Sequence, residues 1–245
     1  MNAMFKEIRQ GDIEKVKARI EKNPDVVNEV FTGKKPLKDI GQSPLQVAVK
    51  CGQFEIIDLL LEKGADPDFM ENRADQPMDT EHYYFAPMPV LEDAIKGVFG
   101  ALAYHNNERS KQYIKVVEKL LIKGADPNKE SYPNPRWGTM MRPLGVAVCQ
   151  AEMVISEDRA KEHLFEVLDL LKQYGADFDL WLDSNFFSVY AAKTYRAAFL
   201  DDFIPQEDKT YEYEYRGKMY KGITKGDVDI HKEMRLIFRE YFKQK

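Results

Sequence analysis

Three copies of the tripeptide Gly-Ala-Asp, each placed shortly after an amphipathic run rich in leucine or valine, constrain the fold of this chain most. The copies begin at Gly64, Gly124 and Gly175. Upstream of every copy a leucine precedes an alanine by three positions, and these pairs are Leu45 and Ala48, Leu91 and Ala94, and Leu144 and Ala147. Such self-similarity predicts stacked supersecondary units, each of which buries its apolar face against its neighbours.

One copy of the pattern is complete. Residues 41–68 read G-Q-S-P-L-Q-V-A-V-K-C-G-Q-F-E-I-I-D-L-L-L-E-K-G-A-D-P-D and resemble an ankyrin repeat from start to end. We expect Ser43 to cap the first helix and Pro44 to occupy its first position. Gly52 would form the tight turn between the two helices, and Gly64 would end the second helix in a left-handed conformation.

The resemblance implies an all-α fold, an ankyrin-repeat α-solenoid with extended β-hairpin fingers between its repeats. It covers residues 4–182 well and the remainder weakly. We expect a single domain over residues 1–245. Its parts would be an N-terminal capping repeat at 4–40, repeat 2 at 41–72, repeat 3 at 87–130, repeat 4 at 140–182 and a degenerate capping repeat at 183–245.

Two of the repeats are too long for the pattern. The leucine and the glycine are 19 positions apart in repeat 2, but 33 and 31 positions apart in repeats 3 and 4. The additional residues have helical character, so we expect lengthened helices in both repeats. The loops between the helices would lie at 106–110 and 155–156, with Ser110 and Ser156 as N-caps.

The C-terminal segment contains alternating Tyr and Glu residues, followed by a stretch with helical spacing of apolar residues. Strict alternation of Tyr and Glu predicts a β-hairpin at 210–222, with its turn at Arg216 and Gly217. This hairpin would precede the last helix. The apolar stripe of that helix would contain Ile230, Met234, Ile237, Phe238, Tyr241 and Phe242.

Composition and charge limit the functions that this chain can perform. Its net charge of −5 argues against a nucleic-acid binder, which needs a basic face. The two cysteines lack C-x-x-C spacing, which predicts a reducing compartment. No signal peptide is recognisable, and no apolar run approaches the roughly 18 residues of a membrane span. We therefore expect a cytoplasmic protein, monomeric when free, without nucleic acid or membrane as a partner.

Motifs for catalysis are not found in the sequence. The four histidines, His82, His105, His163 and His231, lack metal-ligand spacing, and we interpret them as surface or helix-edge residues. Cys51 and Cys149 have no patterned base nearby and are interpreted as small buried side chains. We therefore expect no enzymatic activity, no cofactor and no metal.

Aromatic and arginine side chains mark the predicted fingers, at about 67–89, 127–142 and 178–185. The resemblance implies that fingers and first helices form a concave face that binds partners. Such side chains are enriched in binding hot spots, although they could also pad the fingers against the helices. The candidates are Tyr83, Tyr84, Phe85, Tyr132, Arg136, Trp137, Arg142 and Trp181.

The Tyr-Glu hairpin is a second candidate for partner binding. Tyr213 would lie on one face, with Glu212 and Glu214 on the opposite face, and this aromatic and acidic surface could receive a basic partner. Alternatively, the tyrosines pack on the last repeat and the glutamates are only solvated.

Two functions follow as hypotheses. The first is a non-catalytic module that binds another protein as a scaffold or inhibitor. Its similarity to stand-alone bacterial ankyrin proteins makes a toxin-immunity protein one specific form. The alternative is an enzyme or small-ligand receptor with a pocket between the long fingers and the helices of repeats 3 and 4. His82 and His105 would be its candidate residues.

Overall fold

The computed structural model describes residues 3–33, 39–71, 88–131, 142–179, 209–215, 218–224, 234, 236–237 and 239–241. They belong to two compact units that divide between Ala176 and Asp177. The expectation of one domain over 1–245, with its repeat boundaries, stays a prediction.

The first unit is mostly helical, which confirms the all-α expectation for its described residues. Its helices follow one another in pairs. They are α1 (Ala3–Gln10), α2 (Ile13–Lys22), α3 (Pro44–Cys51), α4 (Phe54–Glu62), α5 (Val90–Ala103), α6 (Asn107–Ile122), α7 (Pro143–Glu152) and α8 (Ala160–Gln173), with a 3-10 turn at Pro24–Asn28 after α2. Of the helices in the described ranges, none has the length and apolar character needed to span a bilayer.

The helices are arranged in two layers. The first helices of the pairs, α1, α3, α5 and α7, pack in that order, and so do the second helices, α2, α4, α6 and α8. Leu45, Leu91 and Leu144 occupy equivalent positions and are all buried. Because full burial of a leucine side chain contributes about 1.5–3 kcal/mol, these positions hold neighbouring pairs together. Most of each predicted finger, at 67–89, 127–142 and 178–185, lies outside the described residues, and the β-hairpin form of the fingers stays a prediction.

The local signals of repeat 2 are confirmed. The hydroxyl of Ser43 accepts a hydrogen bond from the backbone N–H of Gln46 at 3.2 Å, and Pro44 begins α3. Gly52 adopts a φ of 66° in the turn between α3 and α4, and Gly64 a φ of 86° after α4. Both glycines therefore have the left-handed conformation that other residues adopt only at a cost.

The lengthened helices begin at other residues than the sequence predicts. The prediction that Ser110 and Ser156 are N-caps is wrong. Asn106 caps α6, because its side-chain oxygen accepts from the N–H of Arg109 at 3.0 Å. Asparagine caps as well as serine does, so α6 starts a full turn earlier and includes Ser110. Helix α8 begins only at Ala160, four residues beyond Ser156.

The added turns of α6 pack against the preceding pair. The ring of Tyr113 meets that of Phe54 edge-to-face at 5.1 Å, and its hydroxyl donates to the carbonyl of Val49 at 3.1 Å. One turn earlier, a guanidinium nitrogen of Arg109 donates to the carbonyl of Cys51 at 3.1 Å. The extension of α6 therefore covers the turn between α3 and α4.

The same extension also meets the following pair. The hydroxyl of Ser110 and Nδ1 of His163 lie 2.7 Å apart in a buried contact between α6 and α8. The interpretation of His163 as a surface or helix-edge residue is wrong, since only 1% of it is exposed. Burial lowers the pKa of His163, and the positive charges of Lys111 and Arg159 add to this effect. The nearby carboxylates of Glu166 and Glu162 oppose it by raising the pKa to a smaller extent.

We expect the burial of His163 to make stability dependent on pH. A histidine whose folded-state pKa lies below its ordinary value binds more protons when unfolded. Stability is therefore fully present above about pH 6.5 and is lost as the pH falls through the folded-state pKa, by at most about 1.4 kcal/mol per pH unit. Urea unfolding of the wild type and His163→Gln between pH 5 and 7.5 measures this. As the pH falls, the free energy of unfolding should decrease more in the wild type than in His163→Gln. Parallel decreases in the two proteins would contradict the expectation.

The second unit contains a hairpin. Strands β1 (Lys209–Tyr215) and β2 (Lys218–Thr224) pair antiparallel, with Tyr213 opposite Tyr220. The predicted turn at Arg216 and Gly217 lies outside the described residues. Farther along, Met234, Ile237 and Tyr241 are helical and buried, as expected of the predicted stripe. Its other members, Ile230, Phe238 and Phe242, lie outside the described residues.

Candidate functional site

Most of the residues predicted to bind a partner lie outside the described residues. This applies to Tyr83, Tyr84, Phe85, Tyr132, Arg136, Trp137 and Trp181. Tyr213 is placed in β1 by its backbone. Arg142 lies directly before α7, where its guanidinium forms an ion pair with Glu130 and its side chain is 15% exposed. The role of all nine residues in binding stays a prediction.

The described residues bring together a different set of charged side chains, between α3 and α5. At its centre, Nε2 of Gln46 donates to a carboxylate oxygen of Asp93 at 2.8 Å. The ammonium of Lys50 lies 3.4 Å from that same carboxylate. Gln46 and Lys50 are one turn apart on α3, and Asp93 is in the first turn of α5, so the packing of two first helices creates the contact.

A second carboxylate reaches this site from the chain between α4 and α5. Glu71 follows Met70, which forms a backbone bridge with Pro89 at the start of α5. The bridge places the carboxylate of Glu71 at 3.4 Å from the ammonium of Lys50. Lys50 is 29% exposed and Glu71 1%, so the lysine is the solvent-facing member of the pair.

Glu92 is a third carboxylate and the least compensated one. It is only 1% exposed, and among the described residues neither of its carboxylate oxygens has a hydrogen-bond partner. The nearest lysine on the same helix is Lys96, one turn later, and its ammonium contacts the sulfur of Met88 at 3.0 Å. Glu92 joins this set through Asp93, with which it interacts electrostatically, and it also interacts with Cys149 on α7. We call Gln46, Lys50, Glu71, Glu92 and Asp93 the α3–α5 acidic cluster.

Burial changes the proton affinity of two of these carboxylates. It raises the pKa of Glu92 well above its ordinary value; Lys96 opposes this change and Asp93 adds to it. Burial also raises the pKa of Asp93, while Lys50 and the hydrogen bond from Gln46 lower it. Neighbouring buried acids with a raised pKa are candidates for a functional site.

Comparison of the repeats reveals the signal that the sequence contained for this cluster. With Leu45, Leu91 and Leu144 aligned, the second position after each leucine is Val47, Asp93 and Val146. Repeat 3 therefore has a carboxylate where its neighbours have a buried valine. The residue type also differs among the repeats at the first position after each leucine, where Gln46, Glu92 and Gly145 lie.

The two cysteines and His105 show no arrangement for catalysis with the described residues. Cys149 is buried, and burial together with Glu152 raises its pKa well above the ordinary value, so its thiol is protonated and unreactive at neutral pH. Cys51 is half-buried, and its sulfur accepts from Arg9 at 3.6 Å. His105 is 79% exposed and pairs with Glu157 at 2.7 Å.

The alternative hypothesis of an enzyme or receptor predicts a pocket beside the helices of repeats 3 and 4, and the described residues form a groove in repeat 3. A groove of about 390 Å³ lies between α5 and α6, and its lining residues are Gly97, Gly100, Ala101, Tyr104, Asn106, Arg109 and Tyr113. His105 is not among them, and His82 lies outside the described residues. No group of three or more His, Cys, Asp or Glu in the described ranges is arranged to hold a metal ion.

Comparisons with known proteins give one family match, and it falls on a helical pair. A family model described as ankyrin repeat matches residues 40–72, which contain α3 and α4. No curated protein matches the chain. Among solved structures, a chain in the complex of the Bd0816 predatory endopeptidase from Bdellovibrio bacteriovorus with immunity protein Bd3460 is similar at 18% identity. The match covers 82% of this chain and 99% of that chain, with a TM-score of 0.39.

Proposed function

Because residues 40–72 match the ankyrin-repeat family and α1–α8 form successive helical pairs, we propose that this chain binds a partner protein through its first helices and fingers, and acts by contact alone. The observation that supports this most is the layer formed by α1, α3, α5 and α7, which presents side chains of four successive helical pairs on one surface. A specific interface buries about 800 Å² on each partner, and a surface shared by several repeats provides such an area.

Helix α5 contributes three accessible positions to this surface. Lys96, Gly100 and Ala103 are spaced by four and three residues, so they lie on one side of the helix, and all three are at least partly exposed. We define the first-helix surface as these three residues with Lys50 of α3 and Gln150 of α7. The charged positions of this surface adjoin the α3–α5 acidic cluster, which gives a partner both polar and electrostatic contacts.

An inhibitor or toxin-immunity role is a narrower form of the same proposal. A partner whose active site is covered by the first-helix surface and the fingers would be inhibited by steric exclusion, and tight binding would be sufficient. Recognition of this kind requires no reactive group on the present chain.

The test uses bulky substitutions on opposite layers. A tagged chain first recovers its partner from the source organism, and the purified partner is then titrated calorimetrically. Gly100→Arg with Ala103→Arg blocks the first-helix surface; a side chain at Gly100 meets no atom within 4 Å, so folding should be retained. The control is Ala18→Arg with Gln112→Arg, which adds the same charge at exposed positions of α2 and α6.

We expect the first pair of substitutions to weaken binding at least about tenfold, equivalent to 1.4 kcal/mol, and the control pair to have little effect. Equal affinities for both variants would show that the partner binds elsewhere. Turnover of a metabolite by the purified chain would contradict the proposal as a whole.

A further inference from the structure

We propose that the α3–α5 acidic cluster is an anchor site for one arginine side chain of the partner, with Glu92 as the residue that receives the guanidinium. This inference rests on the proposed function and names the chemistry of the partner. It begins from the two carboxylate oxygens of Glu92, to which no group in the described part of the chain donates a hydrogen bond, although the residue is only 1% exposed.

Two free acceptors on one carboxylate match a guanidinium. Arginine presents parallel N–H groups that can donate to both oxygens, and such bidentate pairs are stronger and more directional than contacts with a lysine ammonium. A buried carboxylate without donors has lost its water and gained nothing in exchange, so an arriving guanidinium would supply the missing hydrogen bonds.

The neighbouring lysines do not already fill this role. The ammonium of Lys50 is shared between Glu71 and Asp93, at 3.4 Å from each. The ammonium of Lys96 contacts the sulfur of Met88. Among the described residues, Lys96 therefore acts on Glu92 only through its charge and donates to neither of the Glu92 oxygens.

The position of Glu92 on α5 leads to the surface. Glu92, Lys96 and Gly100 are spaced by four residues, so they follow one side of the helix from the cluster to the first-helix surface. A long, flexible side chain entering beside Lys96 would reach Glu92 one helical turn deeper. Arginine has the length for this, and its apolar stem can remain against the helix while its head is buried.

Binding of the guanidinium has a defined proton balance. When the Glu92 carboxyl is protonated in the free chain, its O–H bond breaks, the proton passes to the buffer, and the carboxylate oxygens accept the N–H groups of the guanidinium. No oxidant, reductant or other reactant takes part. Binding should therefore release a proton, which the pH dependence of affinity records.

The test uses methylguanidinium, the head group of arginine, with the purified full-length chain. The ¹³C-carboxyl resonance of Glu92 is followed by NMR during a titration to about 50 mM. This probe does not depend on the partner. Glu92→Gln removes the acceptor charge, and Glu118→Gln is the matched control because Glu118 is exposed on α6. Methylammonium, titrated in parallel, separates guanidinium recognition from attraction to any cation.

We expect a saturable shift of the Glu92 resonance with methylguanidinium in the wild type and in Glu118→Gln, and a weaker one with methylammonium. Backbone amide resonances of α5, followed in the same titrations, should shift in the wild type and stay unchanged in Glu92→Gln. An equal response to both cations, or no response in the wild type, would overturn the anchor. With the recovered partner, Glu92→Gln should weaken binding at least tenfold; binding unchanged by that substitution would overturn the anchor and leave the proposed function standing.

Stability gives a readout that a purely structural role would not produce. The unfolded Glu92 ionises at its ordinary pKa, whereas the folded one resists ionisation. We therefore expect Glu92→Gln to melt about 2–4 °C higher than the wild type at pH 7, with the difference shrinking toward pH 4. A lower melting temperature across this range would show that Glu92 serves packing, which also contradicts the proposal.

Discussion

Replacing Tyr113 with alanine should destabilise the chain by about 3–5 kcal/mol, as expected when a buried aromatic side chain is removed. Its ring packs on Phe54 of the preceding pair, and its hydroxyl donates to the carbonyl of Val49. The substitution removes both contacts and leaves a cavity between two repeats. Denaturant unfolding monitored by circular dichroism measures the loss.

Two further variants separate the parts of this effect. Tyr113→Phe keeps the ring and removes only the hydroxyl. The carbonyl of Val49 still accepts from the N–H of Gly52, so the loss should stay near the lower end of about 0.5–1.5 kcal/mol. Tyr104→Ala is the control, since Tyr104 is 86% exposed and its removal should change stability by less than about 0.5 kcal/mol. A similar loss for Tyr104→Ala and Tyr113→Ala would contradict the packing of the α6 extension.

Gly52→Ala should be the second most damaging substitution, because two costs add at this position. The φ of 66° is unfavourable for alanine by about 1–2 kcal/mol. A Cβ there would also lie 2.7 Å from the guanidinium carbon of Arg109 and 2.9 Å from the hydroxyl of Tyr113, so overpacking should add about 1–3 kcal/mol. Thermal and urea unfolding both report the sum.

Gly64→Ala isolates the first of these costs. Gly64 has a φ of 86°, yet a Cβ there would meet no atom within 4 Å. Its substitution should therefore cost only the backbone strain. If both alanine variants lost the same stability, the close approach of the α6 extension to Gly52 would be disproved.

The sequence predicted the features that depend on neighbouring residues. The cap at Ser43 and the left-handed turns at Gly52 and Gly64 follow from side chains and backbone within a few positions, and each was found as expected. The lengthening of the helices in repeat 3 also followed from the spacing between Leu91 and Gly124, since the inserted residues had helical character, but the start of α6 did not.

Features that depend on packing across repeats could not be predicted in this way. Ser110 and His163 are 53 positions apart, and their contact exists only because α6 and α8 lie side by side. Serine in a run of Asn, Glu and Arg is equally suited to a cap, so local preference favoured the wrong position. The burial of Glu92 was hidden for a related reason, because periodicity alone does not show how much of a polar side chain a neighbouring helix covers.

The extension of α6 has a consequence for how this chain can evolve. In a regular solenoid every repeat contacts its neighbours through equivalent interfaces, so repeats can be deleted or duplicated. The pair α5–α6 instead makes specific contacts with both of its neighbours. Tyr113 hydrogen-bonds to α3 in the preceding pair, and Ser110 contacts His163 of α8 in the following pair. Loss or duplication of this pair would leave adjoining surfaces mismatched, so insertions and deletions should be confined to other parts of the array.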